Sequence, residues 1–215
     1  QLDSAFRSEG VTVGDYNHDG KLDIAAGFGW YEAPQWNFHR ITPEDKVYQP
    51  KGYSNSFVNY TQDMNGDGWD DIIVVDFPGT PTWWFENPKQ GSAIWTRHQI
   101  TPVSNNESPL FADVDGDGKR EFVFAINPDA SNPDGPQRQM AILSEPDEAT
   151  NNWLAKSISQ TAAPGTTKYS HGLGVGDVNG DGRRDVLVKD GWWEAPEKAD
   201  QSPWEFHAQN FGEDC

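Results

Sequence analysis

The chain has 215 residues and a formal net charge of −18, with 35% hydrophobic residues, 10 tryptophans, 21 glycines and 15 prolines. This acidic excess opposes binding to nucleic acid and to anionic membrane surfaces. There is no apolar run of about 18 residues, so we predict no transmembrane helix. Many aromatic residues together with frequent glycine and proline favour short strands and turns over helices. The single cysteine, Cys215, excludes an internal disulfide.

Four acidic nine-residue loops recur along the chain, at 15–23, 63–71, 113–121 and 177–185. Positions 1, 3, 5 and 9 of each loop carry an oxygen-bearing side chain, and position 6 is glycine. Glycine permits a tight turn that a Cβ would hinder, and this turn gathers the first three of those side chains on one side. The residue at position 7 can then direct its carbonyl oxygen inward. Hard oxygen atoms in this arrangement suit Ca²⁺, which takes about 6–8 oxygen ligands at about 2.3–2.6 Å.

We therefore predict up to four structural Ca²⁺ sites, one in each loop. The alternative is an acidic surface turn without metal, which four copies of one pattern disfavour. An EF-hand is also disfavoured, because the acid stands at position 9 instead of position 12 and the flanking runs are typical of strands. Position 7 would contribute its backbone carbonyl. The predicted ligands are Asp15, Asn17, Asp19, Lys21, Asp23, Asp63, Asn65, Asp67, Trp69, Asp71, Asp113, Asp115, Asp117, Lys119, Glu121, Asp177, Asn179, Asp181, Arg183 and Asp185.

Two further signatures follow each loop and define a longer repeat. The first is a tryptophan, glutamate and proline motif at 29–34, 82–88 and 191–196, reduced in the third repeat to Ser144-Glu145-Pro146. The second begins with tryptophan at 36, 95, 153 and 204, and ends in histidine in all but the third repeat. We predict four strands per repeat, A to D, with the acidic loop between A and B. About 50 residues for four strands is the size of one blade of a β-propeller.

The pattern D-x-[ND]-x-D-G-x-x-[DE] before an apolar strand resembles the FG-GAP/VCBS repeat family. This family includes blades of integrin α-subunits, fungal propeller lectins and aldos-2-ulose dehydratase. The resemblance implies an all-β propeller of four-stranded antiparallel blades that bind calcium, without specifying an activity. The expected single domain, 1–215, would hold blades at about 10–42, 55–102, 107–159 and 169–211. Because family propellers usually have seven blades, we expect further blades or another chain at the open edges.

An antiparallel meander places the A–B and C–D connections at one end and the B–C and D–A connections at the other. The long connections 42–55, 127–139 and 160–170 would all lie opposite the calcium loops, which marks that face as a binding surface. It would present Tyr48, Tyr53 and Tyr169, together with Lys51, Lys168 and His171. Such side chains suit a carbohydrate or a protein ligand equally well.

The histidines offer one catalytic candidate. His39, His98 and His207 recur at one repeat position, so we predict that each packs beside a tryptophan of its repeat. His18 would point away from the metal. His171 enters the strand nearest the predicted channel, where a propeller enzyme would place its chemistry, although a histidine without a catalytic role is also compatible with this position. No nucleophile elbow, cysteine nucleophile or zinc-binding helix motif occurs.

The favoured interpretation is a secreted, calcium-binding propeller that acts as a carbohydrate- or protein-binding scaffold, and a binding role is favoured over an enzymatic one. An extracellular or periplasmic location follows from the high free Ca²⁺ that loops of this type need. One alternative is the propeller part of a carbohydrate-active lyase or dehydratase with a site near His171. Another is an integrin-like adhesion surface.

Overall fold

The computed structural model describes residues 2–89, 93–144, 153–198 and 201–212, and these residues contain strands and turns but no helix. The chain divides into two compact units: Gln1–Phe77 with Pro81–Pro102, and Pro78–Thr80 with Val103–Cys215. The all-β prediction is confirmed for the described ranges. The single-domain assignment and the blade limits stay predictions.

The first unit contains two antiparallel meanders. We call them repeat 1 and repeat 2. In both, the neighbouring strands of the sheet follow one another in the order of the chain. Apolar residues pair across neighbouring strands: Ile24 of β2 lies opposite Tyr31 of β3, and Ile73 of β6 lies opposite Trp84 of β7. The strands are β1 (Thr12–Gly14), β2 (Asp23–Ala25), β3 (Gly29–Glu32), β4 (Asn37–Arg40), β5 (Val58–Gln62), β6 (Asp71–Val75), β7 (Thr80–Glu86) and β8 (Thr96–Ala112).

Strand β8 ends repeat 2 and continues as the first strand of repeat 3 in the second unit. It pairs with β9 through Asn105 and again from Leu110 to Ala112, with a shift of register between these positions. The remaining strands of repeats 3 and 4 are β9 (Glu121–Ile126), β10 (Gln139–Ser144), β11 (Leu154–Ser157), β12 (Gly174–Gly176), β13 (Asp185–Val188), β14 (Gly191–Glu194) and β15 (Glu205–Ala208).

Every acidic loop joins strands A and B of its repeat, and the three long connections join strands B–C or D–A, as predicted. The reduced signature of repeat 3 is described only through Ser144, because residues 145 and 146 lie outside the described ranges, as does Cys215. The central strands β6 and β9 are almost wholly buried, which explains their continuous apolar runs.

Each unit has its own apolar core. In the first unit the core gathers Trp30, Ile72 and Phe85 with Trp95 and Tyr16. In the second unit Val123, Met140 and Ile158 pack with Val186 and Trp193. Within the described ranges, no helix has the length and hydropathy that crossing a bilayer requires.

Candidate calcium-binding loops

The first loop shows how the acidic side chains converge. Asp15 Oδ1 and Asn17 Oδ1 both accept a hydrogen bond from the amide N–H of Asp19, at 3.0 and 3.1 Å. Asp15 Oδ2 accepts from the amide of Gly20 at 2.9 Å, and Asp19 Oδ1 accepts from the amide of Lys21 at 2.9 Å. Positions 1, 3 and 5 therefore lie around one short stretch of backbone, as the sequence predicts.

The other loops repeat this geometry. In loop 3, carboxylate oxygens of Asp113, Asp115 and Asp117 lie within 4.8 Å of one another. In each loop the backbone N–H at position 5 donates to side chains at position 1, position 3 or both. Asp67 donates to Asp63 (3.0 Å) and Asn65 (3.1 Å), Asp117 donates to Asp115 (3.1 Å), and Asp181 donates to Asp177 (3.1 Å) and Asn179 (3.0 Å).

The position-6 glycines all adopt the left-handed backbone conformation that the sequence predicts, with φ of 81° at Gly20, 85° at Gly68, 91° at Gly118 and 86° at Gly182. Position 4 is left-handed as well, which the sequence analysis missed. At this position the first loop carries His18, whose φ is 57°. Its imidazole stacks on the indole of Trp69, with ring centroids 3.9 Å apart. This contact gives the side chain a packing partner.

The position-9 acid has a structural role that the loop pattern alone does not reveal. Asp185 is fully buried, and its Oδ2 and Oδ1 accept hydrogen bonds from the amides of Val178 (2.9 Å) and Ala195 (2.8 Å). Asp23 and Asp71 make the same pair of bonds in their repeats. The carboxylate thus ties the start of the loop to the end of strand C. In repeat 3, Glu121 accepts a hydrogen bond from the amide of Val114 at the loop start, and the residue after strand C lies outside the described ranges.

Burial and acidic neighbours disfavour the ionised form of Asp71, Asp23 and Glu121. Burial, with a further contribution from Asp67 and Asp63, raises the pKa of Asp71 to about 7, although hydrogen bonds from two backbone amides oppose the rise. Burial also raises the pKa of Asp23 and of Glu121. A cation among the loop oxygens would relieve this repulsion and hold the carboxylates ionised.

The donor set fits Ca²⁺. Every side chain at positions 1, 3, 5 and 9 offers oxygen, the donor that hard cations such as Ca²⁺ prefer, and none offers sulfur or imidazole nitrogen. Three side chains of each loop converge, while the buried position-9 acid fixes the hairpin that carries them. The contribution of the carbonyl groups of Lys21, Trp69, Lys119 and Arg183 stays a prediction, as do the four calcium sites themselves.

The recurring histidines pack on tryptophan, as predicted, although the partner lies on strand C. His39 stacks on Trp30 with ring centroids 4.4 Å apart, and its Nε2 lies 2.7 Å from Glu32 Oε2. The other Oε of Glu32 accepts a hydrogen bond from Asn17 Nδ2 at 3.1 Å. A chain of contacts therefore runs from the tryptophan to position 3 of the loop. The sequence signalled it only through the matching positions of Trp, Glu and His.

The other two complete repeats contain the same chain. His98 stacks on Trp84 and His207 on Trp192, with ring centroids 4.2 and 4.3 Å apart. The corresponding hydrogen bonds join His98 to Glu86 (2.9 Å), Asn65 to Glu86 (3.4 Å), His207 to Glu194 (2.7 Å) and Asn179 to Glu194 (3.1 Å).

Position 8 links neighbouring loops inside each unit, a contact that the sequence analysis also missed. Asp70 accepts a hydrogen bond from the amide of Asp15 at 2.9 Å, so loop 2 contacts position 1 of loop 1. In the second unit, Arg184 Nη1 donates to the backbone carbonyl of Asp113 and lies 3.2 Å from its Oδ2. Both contacts bring position 8 of one loop to position 1 of the loop before it.

In the second unit, a cavity of about 490 Å³ lies among B–C and D–A connections, away from the acidic loops. His171 and Tyr169 line it together with Arg138 and Lys189. His171 Nε2 lies 3.3 Å from a carboxylate oxygen of Glu107, and half of the Tyr169 side chain is exposed. The predicted catalytic role of His171 stays a prediction.

The long connections of this unit are held in place by side-chain amides. Asn105 Nδ2 donates to the carbonyls of Pro133 and Thr166, at 2.8 and 3.2 Å, and the amide of Lys168 donates to Asp134 at 2.8 Å. In the first unit, the predicted surface residue Tyr53 is largely exposed and packs one ring face near Phe57 and Phe77. The predicted ligand for either surface stays a prediction.

The described residues thus form a β-rich repeat protein with an acidic hairpin in each repeat. Residues 63–124 match the FG-GAP-like repeat family, which confirms the resemblance for the segment from loop 2 through β9. No curated protein matches the chain. Among solved structures, the chain is similar to the V. cholerae biofilm matrix protein Bap1, with a TM-score of 0.45 and 14% identity over 88% of this chain and 29% of that protein. The chain therefore spans less than a third of Bap1.

Proposed function

We propose that the chain is part of a secreted, calcium-stabilised β-propeller that acts as a binding scaffold. The observation that carries this is the fourfold occurrence of one hairpin, in which three oxygen-bearing side chains converge and a buried acid ties the loop. The four repeats, of which repeats 2 and 3 share β8 in a seven-stranded meander, would each supply one blade, with further blades or another chain completing a ring. High free Ca²⁺ outside the cytosol would fill such loops. The direct test is the number of calcium ions that the metal-free protein binds, for which we expect four.

Calcium in this proposal has a structural role. The residues of the loop hold the cation, the cation offsets the repulsion among their carboxylates, and the A–B hairpin becomes rigid. No reaction step is assigned to these loops, because the cation keeps their carboxylates ionised and so makes them poor general acids. The activity of the module then depends on the other end of the sheets.

We propose a carbohydrate ligand for the cavity that Tyr169 lines in the second unit. An exposed aromatic ring can stack on a sugar, and the cavity offers it the guanidinium of Arg138 and the ion pair of Lys189 with Asp190, at 2.9 Å. Binding to an array of neutral and uronate-containing oligosaccharides should be lost in Tyr169→Ala, with calcium present throughout. Trp36→Ala, which removes a partly exposed aromatic ring from the connection between β3 and β4, is the control. No binding by the parent, or equal binding by both variants, would contradict this ligand.

A further inference from the structure

The asparagine at position 3 of a loop needs an orienting partner if it is to bind a cation. An amide side chain has one acceptor oxygen and one donor NH₂ group, so a half-turn about its last bond would present the wrong atom to the ion. In loop 4, Glu194 Oε1 accepts a hydrogen bond from Asn179 Nδ2 at 3.1 Å. This bond, together with one from the same Nδ2 to Asp181 Oδ2 at 3.0 Å, leaves Asn179 Oδ1 directed to the loop interior, where it accepts from the amide of Asp181.

The other carboxylate oxygen of Glu194 is held by a histidine. Its carboxylate can only accept, so the Nε2 of His207 donates to Glu194 Oε2 at 2.7 Å. The imidazole is fixed in turn by stacking on Trp192, at 19° between ring planes. One carboxylate oxygen therefore faces the histidine and the other faces the asparagine, which leaves the glutamate a single arrangement. Such outer partners commonly orient metal ligands.

The third repeat replaces this whole chain at once. Position 3 of its loop is Asp115, and Ser144 stands at the end of strand C where the other repeats have glutamate. Two residues earlier on strand C, repeat 3 has Ile142 opposite Lys156, whereas repeat 4 has Trp192 opposite His207. A carboxylate has two equivalent oxygens and needs no partner to orient it. In loop 3, Asp115 therefore supplies at position 3 itself the carboxylate that Glu32, Glu86 and Glu194 supply beside the other loops.

We propose that Glu32, Glu86 and Glu194 are positioning residues for the cation. Each holds the position-3 asparagine with its Oδ1 toward the ion, and each supplies the negative charge that Asp115 supplies in loop 3. The inference rests on the proposed calcium sites and names three residues outside the nine-residue loop as part of them. The recurring His and Trp side chains keep the glutamate in place.

Calcium titration of purified variants by calorimetry tests this role. In the triple variant E32Q/E86Q/E194Q, which removes the charge at nearly constant shape, three of the four sites should weaken at least tenfold, within the about 10–100-fold range typical of such partners. The site in loop 3 should keep the affinity of the parent. Adding N17D/N65D/N179D to these substitutions reproduces the arrangement of loop 3 and should restore the three affinities. A role limited to packing would not be rescued by changes in the loops.

Two controls separate this role from general effects. Glu44→Gln removes an exposed carboxylate in the connection between β4 and β5, and should leave all four affinities unchanged. The single variant E194Q, which should weaken one site only, serves if the triple variant fails to fold. Unchanged calcium affinities in E194Q, or no recovery with the aspartates, would overturn the inference while the calcium sites stand. A parent that binds no calcium would overturn the proposed function and this inference together.

Discussion

Removal of calcium with EDTA is expected to lower the melting temperature of the protein by more than about 10 °C. A ligand that binds only the folded state at 100 times its Kd stabilises that state by about 2.7 kcal/mol per site. For a chain of this size, about 1 kcal/mol corresponds to roughly 2–4 °C. One filled site would therefore account for about 5–10 °C, and four sites for more. Differential scanning calorimetry with and without EDTA measures the shift.

The control for this experiment is re-addition of metal. Excess Ca²⁺ should restore the original melting curve, whereas the same concentration of Mg²⁺ should restore it only in part, because Mg²⁺ demands a tighter octahedral shell and dehydrates reluctantly. A melting curve that EDTA leaves unchanged, in protein that elemental analysis shows to be metal-free, would contradict a structural role for calcium.

The metal-free protein is expected to lose stability as the pH rises from about 4 to about 8. Burial raises the pKa of Asp71 from 3.8 to about 7, so the folded state holds this proton more tightly than the unfolded state. The stability from this group is fully present below the unfolded pKa and is lost as the pH passes the folded pKa. The rise corresponds to roughly 4 kcal/mol. Asp23 and Glu121, whose pKa values burial also raises, act in the same direction.

Urea denaturation at a series of pH values measures this loss, and the calcium-saturated protein is the control. With the cation bound, the same carboxylates are held ionised, so stability should rise or stay level across this range. Hydrogen bonds from Ala5, Arg7 and Tyr31 lower the pKa of Asp3, so this group makes the folded state more stable as the pH rises. That stabilisation is lost only below about pH 4, outside the range of this experiment. A metal-free protein whose stability increases from pH 4 to pH 7 would contradict the account of Asp71.

The sequence predicts the repeats well because their signals are local. The loop needs a left-handed residue at Gly20 and its equivalents, and apolar runs such as 72–75 and 122–124 form central buried strands. The order of strands follows from short connections. Structure that depends on contacts within about ten residues along the chain is therefore predictable from the sequence.

Contacts between distant residues were not predictable from the same signals. Pro102 and Pro109 would each be expected to end a strand. Strand β8 nevertheless continues through both, because it pairs with β7 on one side and with β9 on the other. The bonds from Asp185 to Ala195 and from Glu194 to Asn179 join strand C to the loop, across 10 and 15 residues. Only the repetition of Glu and His at equal positions hinted at the second of these contacts.

The most direct test of the account is the number of calcium ions that the protein binds. Metal-free protein would be dialysed to equilibrium against millimolar Ca²⁺, and its calcium content would be measured by elemental analysis beside a dialysis blank. The account predicts four ions per chain, with one ion fewer in a variant that replaces Asp177 and Asp181 by alanine. Calcium contents equal to the blank would contradict it, because the four acidic hairpins would then be surface turns without metal.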